Sequence, residues 1–220
     1  MFVLAKLRPI VDATIERLAK KQFVVDPIAG QHYSRLVSVL SSAYKRHGYI
    51  LETALLERLR ENAEFVVWTE PEFRVSQGAD QLVGTLMSNP QSAIGSNINY
   101  GVGERTLQTD IVVYDKTNKT IASYEVKRGS GLHDSGKRRS ILRDTLCTQI
   151  LLQSYGQSLG FTVSSARSHV VFYYGMCSIN KPFSLTREEL NEHFDFPVTS
   201  HVELVNAYFE RRLFALLAAS

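Results

Sequence analysis

Two acids and a lysine lie close together in the segment TDIVVYDKTNKTIASYEVKRG, residues 109–129. Ile111–Tyr114 is one strand-like run and Ile121–Val126 is another, and the Lys116-Thr117-Asn118-Lys119 stretch between them is rich in turn formers. A hairpin folded between Thr117 and Asn118 pairs Asp115 with Thr120 and Asp110 with Glu125. Directly opposed residues hold their Cβ atoms about 4.5–5.5 Å apart, and like charges so placed repel each other. Lys127, two residues past Glu125, shares its face, whereas Asp115 has the other parity and points away. The hairpin is therefore expected to gather two carboxylates and one amine on a single surface. A slip of one residue in register would undo that arrangement.

Two readings fit this cluster. One is a structural ion-pair group on a polar strand face. The other is a divalent-cation site, since Mg²⁺ is normally held by one or two carboxylates together with water and substrate phosphate. On the second reading a cation turns the repulsion into the reason for the arrangement.

Asp110 followed by Glu125-Val126-Lys127 resembles the D…(D/E)xK signature of the PD-(D/E)xK nuclease superfamily, the fold of restriction endonucleases and of many repair and recombination nucleases. Thr109 stands where that motif has its Pro. The resemblance covers roughly residues 45–175. It implies an α/β fold, a restriction-endonuclease-like mixed sheet of core order αβββαβ flanked by helices. It also implies a metal-dependent nuclease hydrolysing phosphodiester bonds, a DNA endonuclease of restriction, repair or recombination type, with RNA as the other substrate class. Asp110 and Glu125 would hold Mg²⁺ (or Mn²⁺ in its place), with the backbone carbonyl of Val126. Lys127 would orient or deprotonate the attacking water. The family often carries a further Glu on the helix before the first core strand, and Glu52 stands at that point here. Some exonuclease-like branches place a Gln and then a Tyr on the following helix, which makes Gln149 an auxiliary candidate ahead of Tyr155. Two alternatives stay open: a non-catalytic nucleic-acid-binding module on the same scaffold, and a structural protein with an accidental motif.

The positive charge is concentrated just beyond the motif. Lys127, Arg128, Lys137, Arg138, Arg139 and Arg143 face only Asp134 within seventeen residues, although the whole chain carries just +3. Lys137, Arg138 and Arg139 fall at the start of an expected helix, where cations oppose the macrodipole at about 0.3–1 kcal/mol each. Such a placement suits phosphate better than solubility alone. These residues and His133, in the adjoining loop, are the candidate nucleic-acid contacts. Contacts of this kind supply affinity and register, not sequence choice.

The elements that must carry these residues can be read from periodicity. Residues 7–22 and a stretch from Ser34 to about Glu61, bent at Gly48, are expected as helices. Glu64–Trp68 and Phe73–Ser76 read as strands separated by Glu70-Pro71, and Gly78–Gly103 as a long irregular segment. After the hairpin a helix opens at Ser135 or Gly136 and ends near Gly156 or Gly160. A strand follows at Ser168–Tyr174. Thr186 with Glu189 reads as a capping box, and Val202–Leu217 as an apolar final helix that either caps the core or forms a homodimer interface. The expected layout is one 220-residue domain: a helical segment over 1–44, a core over 45–175 and C-terminal helices over 176–220.

The composition is that of a globular protein, 44% hydrophobic and 21% charged. No apolar run approaches a membrane span, and MFVLAKLRPIVD is too short an apolar patch for a signal peptide. Cys147 and Cys177 lack metal spacing and read as reduced thiols, so a cytoplasmic protein is expected. The six histidines show no metal spacing either. One rival motif remains: Gly156-Gln157-Ser158-Leu159-Gly160 matches the nucleophile elbow of a serine hydrolase using Ser158, with Asp195 and His201 following in triad order. That elbow needs a strand before the serine, and here the preceding residues read as helix.

Overall fold

The computed structural model describes residues 2–218. Met1, Ala219 and Ser220, the outermost positions of the expected 1–44 and 176–220 segments, lie outside the described residues. The chain divides into two compact units, one formed by residues up to Arg58 and again from Pro197, the other by Leu59–Phe196. The divisions thus fall inside the segments read from the sequence as 45–175 and 176–220.

The first unit is helical: α1 (Phe2–Lys20), α2 (Gly30–Leu59, whose last residue belongs to the second unit) and α6 (Thr199–Ala218). On α1, Val3, Leu7, Val11, Ile15 and Leu18 are buried, the three-and-four spacing of one helix face. On α6, Val202, Val205, Phe209 and Leu213 are buried, so its apolar face is used within its own unit. Tyr208 donates to Asp12 (2.8 Å), which also takes the Arg212 guanidinium (2.8 Å), and His47 meets Asn206 (3.1 Å). The expected bend at Gly48 is absent, and α2 runs through it without a break. One glycine costs a helix only about 1 kcal/mol, and Ile50, Leu51, Ala54 and Leu55 are buried just beyond it.

The second unit is an α/β assembly around a five-stranded mixed sheet of order β1-β2-β3-β4-β5. The strands are β1 (Phe65–Val75), β2 (Arg105–Asp115), β3 (Thr120–Lys127), β4 (Ser165–Phe172) and β5 (Ser184–Thr186). The first three are antiparallel neighbours, while β3–β4 and β4–β5 are parallel. A parallel pair needs a crossover, and α4 (Ser135–Ser158) provides it between β3 and β4. Glu70-Pro71 does not separate two strands. It sits in a register irregularity of the single edge strand β1, where a missing N–H is tolerated.

The segment expected to be irregular over 78–103 contains α3 (Gln77–Leu86) and a 3-10 turn at Pro90–Ala93. Ser76 caps α3 by accepting from the Ala79 N–H (3.2 Å), and Ala79 and Val83, four apart, are buried. β5, three residues long, has no counterpart among the expected strands. The capping box at Thr186 and Glu189 is present and opens a 3-10 turn that runs into the short helix α5 (Leu190–His193).

The core lies between one sheet face and α4 with α3. Phe73, Val112, Ile121, Val170 and Phe172 from the strands meet Leu146, Ile150 and Tyr155 from α4. The opposite face carries an aromatic and imidazole group. The Tyr124 hydroxyl meets His193 Nε2 (2.8 Å), and His169 Nδ1 meets the Pro182 carbonyl (3.1 Å). Burial pushes both imidazoles down, His169 to about 3. No helix among the described residues is long and apolar enough to cross a membrane.

Gln149 fastens α4 to the sheet. It is 2% exposed, its Nε2 donates to the Ala166 carbonyl (3.1 Å) and its Oε1 accepts the Ser168 N–H (2.9 Å). β5 pairs only with residues 170–172 of β4, so the side chain does for 166–168 what a neighbouring strand would. Gln149→Leu leaves the buried Ser168 N–H without its acceptor, and the Ala166 carbonyl keeps only the Arg167 guanidinium. The expected loss is about 1–3 kcal/mol of unfolding free energy, read by urea titration of the single tryptophan, Trp68, which lies in this unit.

Candidate active site

The hairpin has the register its turn chemistry implies. Asp115 Oδ1 accepts the N–H groups of Thr117 (2.8 Å) and Asn118 (3.0 Å), and Lys119 takes φ 53°. This tight closure fixes Asp115 opposite Thr120 and carries the ladder to Ile111 opposite Tyr124. Past that pair the Asp110 side chain takes over: its Oδ2 accepts the Val126 N–H at 2.8 Å. Glu125 and Lys127 lie on the same strand two residues apart, joined by an ion pair between Lys127 Nζ and Glu125 Oε1. Backbone pairing holds the end of β3 in place, with the Tyr173 N–H donating to the Lys127 carbonyl (2.9 Å) and that of Tyr174 to Arg128 (2.7 Å). Gly129 follows at φ +66°, and a Cβ at that position would lie only 3.0 Å from Phe172 Cβ. Another residue there would be strained and would push β4 away.

Asp110 is buried at 8% exposure. Burial, and then the charge of Glu125, push its carboxyl up to about 6; the Val126 N–H and Lys127 only partly oppose this. The Glu125 charge thus adds to burial in disfavouring the ionised Asp110 carboxylate. Glu125 and Lys127 open into a cleft of about 200 Å³ between the hairpin and α4. Its far wall is a polar stripe on α4, Lys137, Ser140, Asp144 and Thr148, and its floor includes Ser123, whose hydroxyl donates to Ser168 (2.8 Å).

The candidates from the sequence separate here. Asp110, Glu125, Val126 and Lys127 come together, and Lys137 lines the same cleft as Glu125 and Lys127. Glu52 is on α2, in the helical unit. Arg143 is taken by Asp80 (3.1 Å), which also binds Arg105 (2.8 Å), and Arg105 in turn reaches Asp144 (3.1 Å). Arg105 beside it holds the Asp80 carboxyl down at about 2. The Arg128 guanidinium lies 5.4 Å from the Tyr174 ring centre, and His133 Nδ1 meets Ser178 (2.8 Å). Arg138 and Arg139 border a separate cavity. Gln149 has both amide groups engaged by β4, and the Tyr155 hydroxyl accepts from Trp68 Nε1 (3.0 Å) and donates to Glu70 (2.5 Å).

Asp144, Ser123 and Thr148 join the site without having stood out in the sequence. The one signal for the α4 members is the recurrence of polar residues at 137, 140, 144 and 148 on one helix face.

The strand-then-serine context that the serine-hydrolase alternative needs is missing at Ser158. Ser158 is the last residue of α4 and its hydroxyl donates to the Tyr155 carbonyl (2.7 Å), with helix rather than strand before it. Burial pushes the Cys147 thiol up to about 12, away from the thiolate form.

Among the described residues no three His, Cys, Asp or Glu side chains converge as a metal site. The donor types that are present suit a hard cation. Two carboxylates on adjacent strands, one of them raised by the other's charge, fit an ion that completes its shell with water and phosphate. Comparison of the chain with protein-family models, with curated proteins and with solved structures gave no match.

The folded-state value of Asp110, about 6, lies above the ordinary 3.8. The folded chain therefore binds that proton more tightly than the unfolded chain. Asp110's contribution is favourable below about pH 4 and is lost as pH rises through 6. In EDTA, Asp110→Asn is expected to be more stable than wild type at pH 7, with the gap narrowing as pH falls toward 4. Urea titrations at the two pH values check this.

Proposed function

We propose that the sheet unit is a Mg²⁺-dependent nuclease of restriction-endonuclease-like fold, cleaving phosphodiester bonds in DNA. The observation that carries the reading is the buried Asp110 carboxylate beside Glu125 and Lys127, two residues that open into a cleft also lined by Lys137. The order α2, β1, β2, β3, α4, β4 supports it, with α3 inserted after β1 and β5 added at the end.

Asp110 and Glu125 would hold the cation, with the Val126 carbonyl as a further oxygen donor. The cation supplies Lewis acidity toward the phosphoryl oxygen and toward water. The chain's own groups do the rest. The Val126 N–H holds the Asp110 carboxylate in one orientation. Lys127, freed from Glu125, donates to the phosphate oxygen on which charge builds and orders the attacking water. Lys137 holds the phosphate from the opposite wall, and the α4 hydroxyls offer further hydrogen bonds. An anionic strand can approach two carboxylates only when cationic groups offset them.

The Glu125–Lys127 ion pair is the observation that favours the second reading, a nucleic-acid-binding module without cleavage, because it leaves both groups mutually satisfied. Incubation with circular and linear DNA, in Mg²⁺ and in EDTA, separates the two. Metal-dependent cleavage is expected, with the form of the products showing endo- or exonuclease action. Lys127→Ala and Asp110→Asn are each expected to lower the rate by roughly 100-fold or more while DNA binding persists. Binding with no cleavage by the wild-type protein in any divalent cation establishes the module instead.

A further inference from the structure

A second cavity lies on the other side of the start of α4, with a volume of about 480 Å³. Lys137 faces the first cleft, whereas Arg138 and Arg139, the next two residues, border this one. Both arginines are exposed, and among the described residues neither is in an ion pair. Three side-chain carboxamides line it too, Asn89 just before and Gln91 within the 3-10 turn after α3, and Asn180 from the loop before β5. No hydrogen bond among the described residues uses those amides. Leu142 and Phe183 contribute apolar wall.

We propose that this cavity binds an unpaired nucleotide of the substrate strand, next to the stretch held in the catalytic cleft. The chemistry of the lining assigns the ligand. Guanidinium groups match phosphate with paired donors. Carboxamides match the donor and acceptor edges of a base, and apolar side chains pack on its faces. A base still paired in a duplex hides its Watson–Crick edge and stays stacked, whereas a splayed base can enter a concave site and present both edges. The ridge between the two cavities is the first turns of one helix, and a helix is about 10–12 Å across with its side chains. A strand leaving the cleft past Lys137 therefore meets Arg138 and Arg139 within a few nucleotides. The identity of the ligand rests on the nucleic-acid reading of the neighbouring cleft; its binding does not require cleavage.

Fluorescence anisotropy in Mg²⁺, on a Lys127→Ala background to suppress cleavage, tests this with four probes: a single-stranded oligonucleotide, a blunt duplex, the same duplex with a single-stranded overhang, and a nucleoside monophosphate as competitor. The single strand and the overhang are expected to bind at least tenfold more tightly than the blunt duplex. Arg138→Ala with Arg139→Ala is expected to remove that preference and to lower the salt slope by about 0.7 for each phosphate no longer neutralised. Arg138→Gln with Arg139→Gln, which keeps the side-chain stems, serves if the alanine pair fails to fold. Asn180→Ala with Gln91→Ala is expected to flatten the ranking among homopolymer single strands without changing the salt slope. Equal affinity for blunt duplex and single strand, or unchanged binding by both arginine pairs, overturns the proposal. So does competition by the monophosphate as strong as by the oligonucleotide, which makes a free nucleotide the ligand. Metal-dependent cleavage without the overhang preference defeats this inference alone, whereas absence of any polynucleotide binding defeats the nuclease reading with it.

Discussion

Two carboxylates on neighbouring strands, pressed toward one face with too little positive charge between them, form the constraint around which the sheet unit is arranged. Nothing in apolar packing calls for Asp110 to be buried there, and its raised carboxyl shows that the fold bears a cost in keeping it. The neighbouring structure limits that cost without removing it. The Val126 N–H binds one oxygen, and Lys127 closes onto Glu125. The Asp115 turn fixes the register that brings the pair together, and the β3–β4 pairing, carried on past the strand ends to Gly129, keeps Lys127 from moving off with its loop. A locally unfavourable electrostatic arrangement held by several independent contacts is what function-bearing sites tend to show.

Much of this is legible in the sequence because it is local. Strand alternation and a short turn suggest where Asp110, Glu125 and Lys127 fall, and the observed ladder keeps that register as far as Ile111 opposite Tyr124, one pair short of the two acids. Helix ends marked by Thr186 and Glu189 are legible for the same reason. The failures arise where local signals conflict. Gly78 and Gly84 obscure α3, although Ala79 and Val83 have the right spacing; Gly48 reads as a break in a helix long enough to absorb it; Glu70-Pro71 reads as a gap where an edge strand only bulges.

The sorting of the basic residues is not legible at all. Adjacent positions on one helix face different cavities, so Lys137 and Arg138 part company as soon as α4 is packed. Arg143 reads as free until α3 brings in Asp80, sixty-three positions earlier. The Asp80, Arg105 and Asp144 chain also ties α3, β2 and α4 into one charged seam bordering the cleft, so the wall bearing Lys137 is braced from outside the core. The helical unit contributes Glu52 to the family resemblance, yet its own interior is accounted for by apolar spacing and a few buried polar pairs.

The double attachment of Gln149 to β4 acts as a dowel between helix and sheet. Axial travel of α4 by a single turn, or rotation about its own axis, would break both contacts at once and strand a buried amide. The long crossover thus has one setting, and cationic groups at its leading end inherit that setting some three turns away. Distances between the carboxylates and Lys137 are in this way gauged by a residue that touches neither.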